Sequence, residues 1–449
     1  MARAMSKTSP PPCCACATRR RVWPPKGWLG KRKSNMTASA RTISYSVRRR
    51  SYTRCCRDTL LTRQRGYEIT FTEPEIFGGS CLMKDGFRIL DSDMHLREPA
   101  DLWDKYLEPE WRDRGPKILS STARSSAMVM LDGKILDGYK PAYRGGIYDA
   151  TRIDQEIAEF RKDGFNAKTQ LEAMDREGLD VASLYPSIGL GIMMRSEMDP
   201  KLGAAVARAY NNWLYDFCQE DPKRLKGVGM LSFHDPNEAV KEAQRCVGKL
   251  SFVGVFARPE PLHDLPWHSR YFDTVWSCLE ELGVPMGFHS ATSAGEVPQI
   301  GDRFGDNLLL RHVVSHPMEN MMALADTIGG GVCDRHPKLK LAFLECYCGW
   351  VSFLLHRLDN AMSKGRFPTA GKLKPSEYFK RQCWISTEHE KELPMIIELI
   401  GDDRIVFSTD YPHGDSDFPE GVEEFLEQKI SKESKKKILW DNCAALYNL

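Results

Sequence analysis

The stretch FRILDSDMH, Phe87–His95, is a short apolar run that ends in two acids and a histidine. Side chains alternate along a strand, so Asp93 and His95 leave the same face at its C-terminal end. Seven further runs of this type follow: Asp180–Pro186, Leu225–Phe233, Phe252–Pro259, Val284–Ser290, Leu339–Glu345, Cys383–Glu388 and Ile405–Pro412. Amphipathic stretches separate them, among them Pro236–Val247, Ser269–Leu282, Trp350–Ser363 and Glu390–Ile400. Repeated βα units build a parallel sheet, and eight of them predict an α/β chain folded as a (β/α)8 TIM barrel. The largest insertions, Glu98–Asp149 and Ala291–His316, follow strands one and five. Both sit on the face where such a barrel assembles its active site.

Four strand ends carry chemistry. Strand one ends in Asp93-Met94-His95, strand five in Phe288-His289, strand six in Leu344-Glu345 and strand eight in Thr409-Asp410. A single strand-end acid is commonly a turn or cap residue, and a single histidine is commonly a satisfied core residue. Imidazoles and carboxylates converging from four strands make a site for one divalent metal. Met193, Met194 and Met198, after strand two, either line a substrate loop or fill a packing gap. The sequence has no phosphate-binding GxxxxGK[ST] loop, no strand-linked dinucleotide fingerprint and no GxSxG elbow.

The chain has 449 residues and a formal charge of +2, an average over two unlike parts. Residues 1–66 carry 17 Lys+Arg and one acid, Asp58, whereas the remainder carries 46 bases against 60 acids. A basic, acid-poor, Ser-rich leader over residues 1–82 is therefore expected ahead of a barrel over residues 83–449. Three readings of the leader stay open: an organellar targeting segment, a nucleic-acid-binding arm, or a start site upstream of the natural one at Met83. Nucleic acid is not expected as a partner of the barrel. No apolar run is long enough to cross a membrane, and the eight cysteines after Cys81 show no CxxC spacing. A reduced, cytoplasmic location is expected, with organellar targeting as the leader's alternative.

The segments DSDMHLREPADLWDKYLEP, GFHS, HPMENMMAL, RHPKLKLAFLECYCGWVSFLLHRLD, FSTDYPHGD and ILWDNCAALYNL together resemble the amidohydrolase superfamily. They resemble most the branch that includes aminocarboxymuconate-semialdehyde decarboxylase and the resorcylate-type decarboxylases. The resemblance runs in order from Phe87 to Leu449 and implies a barrel with one divalent metal at its mouth, often dimeric. It implies Asp93, His95, His289 and Asp410 as metal ligands, with zinc expected first and manganese or iron as alternatives. Asp410 would also orient or deprotonate a metal-bound water. One departure stands out: the decarboxylases have a histidine at the end of strand six, where this chain has Glu345. His316 is the candidate substitute imidazole, so Asp410, His316 and Glu345 form the catalytic set. Arg258, Glu98 and His413 are candidates for contacting a substrate or orienting ligands, Arg258 through a substrate carboxylate.

The expected function is metal-dependent hydrolysis of an amide, ester or lactone in a small carboxylated or aromatic substrate, towards which Glu345 tips the reading. The alternative is non-oxidative decarboxylation of an aromatic or muconate-type acid. A third reading, from another class, is nucleic-acid binding through the leader.

Overall fold

Every residue of the first strand, Leu90–Leu96 (β1), is buried, as a strand covered on both faces requires. It opens an eight-stranded parallel sheet whose order follows the sequence. The other barrel strands are β5 (Val181–Pro186), β6 (Leu225–Met230), β7 (Gly254–Ala257), β8 (Pro285–His289), β9 (Lys340–Leu344), β10 (Cys383–Thr387) and β11 (Ile405–Phe407). This computed structural model describes residues 84–120, 128–136, 158–291, 297–305, 307–365 and 371–449. The expected leader lies outside the described residues, as does the start of the barrel domain at Met83.

The eight strands are those expected from the sequence, with trimmed ends. Strand eight stops at Phe407 rather than Pro412 because the backbone turns away by Asp410, whose φ is +55°. The circle closes between β11 and β1 without a continuous ladder. His95 N–H donates to the Tyr411 carbonyl at 2.7 Å, Ser92 Oγ donates to the Phe407 carbonyl at 2.7 Å, and Thr409 Oγ1 donates to Asp91. From the C-terminal helix Asn442–Tyr447, the Tyr447 hydroxyl donates to Ser92 O at 2.7 Å and lies 3.0 Å from the Tyr185 hydroxyl.

The helices begin where local chemistry starts them. Asp199-Pro200 and Asp235-Pro236 each place an acid at the N-cap and a proline at the first helical position, opening Pro200–Cys218 and Pro236–Gly248. Outside the barrel, Phe288 stacks on Phe343 at 5.5 Å and meets Trp267 at 5.3 Å, part of the layer between sheet and helices.

Both insertions carry structure that the strand pattern does not announce. After β1, β2 (Lys117–Ser120), β3 (Met128–Leu131) and β4 (Lys134–Leu136) form a small antiparallel sheet. Asp132-Gly133 joins β3 to β4 with both residues at positive φ, as a two-residue hairpin turn demands. After β8, the expected insertion Ala291–His316 is shorter, because a 22-residue helix, Leu308–Gly329, already contains His316. Among the described residues, no helix is long and apolar enough to cross a membrane.

Candidate metal centre

The side chains at the C-terminal ends of β1, β8, β9 and β11 meet in the barrel mouth. His95 and His289 are fully buried, and each directs Nδ1 at a backbone carbonyl: Pro186 O at 2.8 Å and Ser290 O at 2.6 Å. A carbonyl only accepts, so each Nδ1 carries a proton and each Nε2 faces the mouth; His95 is neutral, whereas Asp93 and Glu345 raise His289 against the pull of burial. The two Nε2 atoms face each other at 2.8 Å. Two ring nitrogens that close call for a shared cation or proton.

Carboxylates crowd the same point. Asp93 Oδ2 lies 3.3 Å from His289 Nε2, and Asp93 Oδ1 lies 3.6 Å from His95 Nε2. Glu345 Oε2 is 3.1 Å from His289 Nε2, and Asp410 Oδ1 is 3.4 Å from His95 Nε2. Both Asp93 oxygens, Glu345 Oε2 and Asp410 Oδ1 are buried with no hydrogen-bond partner among the described residues. Two ligand-like groups share His95: Asp93, His95 and His289, and His95, Glu345, Asp410 and His413, each with donor atoms within 4.8 Å of one another. Unpartnered buried anions are unstable unless something compensates them. A divalent cation does so, and this donor set fits one.

Backbone geometry aims two of these acids. Glu345 and Asp410 hold φ of +48° and +55°, which turn their side chains off the strand ends. Such non-glycine conformations cost about 1 kcal/mol or more and persist where surroundings enforce them.

The electrostatics follow from burial. Burial, and then His413, hold His95 well below the ordinary histidine range, so it is neutral and able to ligate. Burial pushes His413 down to about 4. Burial and the neighbouring Glu345 carboxylate hold Asp410 well above the carboxylate range. Burial opposes ionisation of Glu345 too, yet His316 and His289 overcome it and hold that group well below.

His316 reaches the site from its helix, with Nδ1 3.1 Å from Glu345 Oε1. His413 Nδ1 lies 2.7 Å from Asp410 Oδ1, off the line of a hydrogen bond, and its ring sits 4.0 Å from that of His95. Glu98 stands elsewhere. Its carboxylate accepts the backbone N–H groups of Ser187, Ile188 and Gly189 at 3.2, 3.0 and 2.7 Å, which anchors the loop after β5. Arg258 is fastened to Glu260, with Nη2 to Oε1 at 2.6 Å and Nε to Oε2 at 3.0 Å.

Sequence reasoning did not find His312. It lies one helical turn before His316, with the two rings tilted and 4.2 Å apart, and pairs with Asp415 at 2.8 Å. The i, i+4 spacing was the available signal. It also passed over Glu388, His389 and Asp417, a third ligand-like group of half-buried residues. Met193 and Met194 line a pocket beside the site, whereas Met198 is core.

The amidohydrolase family model matches residues 92–449. The chain belongs to that family. It is 28% identical over 253 residues to gamma-resorcylate decarboxylase of Polaromonas sp., covering 54% of this chain and 76% of the relative. Among solved structures, an amidohydrolase from Mycobacterium avium subsp. paratuberculosis superposes with TM-score 0.65 and 26% identity, covering 80% of this chain and 99% of that one. A dihydroxybenzoic acid decarboxylase from Polaromonas sp. JS666, solved with bound manganese and the inhibitor 2-nitroresorcinol, shares the fold at TM-score 0.58 and 20% identity, covering 81% and 97%.

Proposed function

We propose that this amidohydrolase is a metal-dependent, non-oxidative decarboxylase of a hydroxylated aromatic acid. The observation that carries this reading is the pairing of His316 with Glu345 at 3.1 Å, which brings an imidazole to the end of β9 even though the strand itself ends in an acid. The departure that favoured hydrolysis thereby loses much of its force. Relatives that act as decarboxylases support the same conclusion.

Asp93, His95, His289 and Asp410 would hold the metal, with Glu345 as a further donor. When bound, a divalent cation supplies Lewis-acid polarisation of the substrate's carboxylate and its neighbouring oxygen. Oxygen-rich donors beside two imidazoles suit manganese as well as zinc. Manganese in the solved Polaromonas decarboxylase makes it the metal we expect, in place of zinc.

The chain's own residues manage the proton. Asp410, beside the metal ligands at the end of β11, is the carboxyl group placed to deliver a proton to the ring carbon that bears the carboxylate. The carbon–carbon bond then breaks, its electron pair stays with the ring and restores aromaticity, and CO₂ leaves. His413, 2.7 Å from Asp410 Oδ1, packs against that carboxyl group and limits where it can turn. His316 holds Glu345 ionised and oriented.

Hydrolysis is the second reading, favoured by Glu345 Oε2, a buried carboxylate oxygen with no hydrogen-bond partner and able to act as a base on water. The deciding assay incubates manganese-loaded protein with 2,6-dihydroxybenzoate and related hydroxybenzoates under CO₂ detection, with esters, lactones and amides in parallel. Release of CO₂ is the expected outcome. A hydrolytic product without CO₂ from any acid overturns the proposal.

A further inference from the structure

Beside the metal centre lies a small pocket with about 20 Å³ of accessible space, room for a small group rather than a whole molecule. Its walls are mostly apolar, with Met193, Met194, Phe233, Phe256 and Trp267 prominent, and its polar lining is Arg258 and Glu260. Strand register places it. Phe256 pairs with Gly287 and Ala257 with Phe288, so the next residue, Arg258, stands level with His289. Alternation then sends Arg258 to the same side of the sheet as His289. Phe256 packs at 6.1 Å from Tyr185, whose ring stacks on His289 at 5.6 Å, so pocket and metal centre share a wall.

The hydrogen-bonding capacity of that lining is nearly used up. Arg258, with its side chain 2% exposed, gives Nε and Nη2 to Glu260, and Nη2 also reaches Ala291 O at 3.0 Å. Glu260 Oε1 accepts from Gln299 as well, and Trp267 Nε1 donates to Pro259 O at 3.0 Å. Among the described residues, Arg258 Nη1 is buried without a partner. The pocket therefore offers an apolar body and one unspent donor atom, Arg258 Nη1, with its two N–H groups.

We infer that this pocket is a subsite for a neutral, hydrogen-bond-accepting substituent, such as an acyl or methoxy group on the substrate ring, and that Arg258 Nη1 reads the acceptor. The identity of the ring rests on the decarboxylase reading; the pocket's preference does not. A carboxylate is disfavoured there because Glu260 already neutralises Arg258. A second buried anion would face an ion pair of zero net charge with only the N–H groups of Nη1 to stabilise it. The structure thus redirects the expectation that Arg258 binds a substrate carboxylate.

The test needs no turnover. The full-length protein is titrated with acetophenone, ethylbenzene and phenylacetate, and occupancy is read as the change in Trp267 fluorescence, defined by subtracting the signal of Trp267→Phe. Acetophenone should bind about tenfold tighter than ethylbenzene, the worth of a hydrogen bond from a charged donor, and tighter than phenylacetate. Arg258→Met should erase the preference for acetophenone over ethylbenzene while leaving ethylbenzene affinity unchanged. That variant leaves Glu260 unpaired and buried, so Arg258→Met with Glu260→Gln serves as the second, charge-balanced variant and should give the same result. Equal affinity for acetophenone and ethylbenzene in the wild type, tightest binding of phenylacetate, or a preference that survives the double variant overturns the inference. Because these probes need neither metal nor chemistry, loss of the decarboxylase reading would appear only in the CO₂ assay.

Discussion

Replacing Glu98 with alanine would remove the acceptor for three backbone N–H groups at once, those of Ser187, Ile188 and Gly189. Hydrogen bonds to a charged group are worth about 1.5–3 kcal/mol each, so the gross loss is about 6 kcal/mol. Against this, the variant no longer buries a carboxylate that is 5% exposed and whose ionisation burial disfavours, an offset of about 3 kcal/mol. The net destabilisation expected is therefore about 3 kcal/mol, read as a shift in the urea midpoint with an unchanged slope. The damage should also reach the metal. Pro186, whose carbonyl orients His95 Nδ1, immediately precedes the anchored amides, and Ser187 Oγ lies 3.2 Å from His413 Nε2. Losing support of this kind behind a ligand typically costs about 10–100-fold in metal affinity, and calorimetric titration with Mn²⁺ would show it. Glu98→Gln keeps an accepting oxygen and should lose about half as much stability. A stability change under about 1 kcal/mol together with unchanged Mn²⁺ affinity in Glu98→Ala would refute the reasoning.

Three further outcomes are expected. Burial raises Glu177 to about 7 from 4.5, so the folded state binds its proton more tightly than the unfolded state does. Stability should then fall by about 3 kcal/mol as pH rises from 4.5 to 7 on account of this residue, and Glu177→Gln should flatten the slope of denaturation free energy against pH by that amount. Asp93→Asn should leave the circular dichroism unchanged and lower the metal content, measured by elemental analysis, from about one ion per chain to a small fraction. In Gly287→Ala the new Cβ would stand 2.5 Å from the Tyr185 hydroxyl, displacing the ring that stacks on His289. A loss of about 1–3 kcal/mol in thermal or urea denaturation should follow, with weaker Mn²⁺ binding.

The residues legible from sequence share one property: their placement is set by local rules. Asp93, His95, His289, Glu345 and Asp410 sit at the ends of short apolar runs, and a parallel barrel gathers strand ends by construction. Glu98, Arg258 and His413 have the right chemistry and lie near the right strands, yet their partners decide what they do. Glu98 meets backbone amides about ninety residues away, and amides leave no mark in a sequence. Arg258 has its partner only two residues on, but the fork that closes on Glu260 depends on the turn after β7 and on burial. The Asp-Gly hairpin between β3 and β4 was visible in principle and was masked by the surrounding insertion.

By itself the sequence determined the eight strands, their order and the carboxylates and imidazoles at their ends, because alternation and apolar runs act over a few residues. Tertiary structure alone decided the rest. Closing β11 onto β1 joins groups 315 residues apart. Folding carries His316 from its helix to Glu345, leaves four carboxylate oxygens without a partner among the described residues around two imidazoles, and leaves Arg258 Nη1 alone among its nitrogens unpartnered there. The physical reason is that desolvation and hydrogen-bond saturation depend on every neighbour in space, while strand patterning depends on the next few residues in the chain.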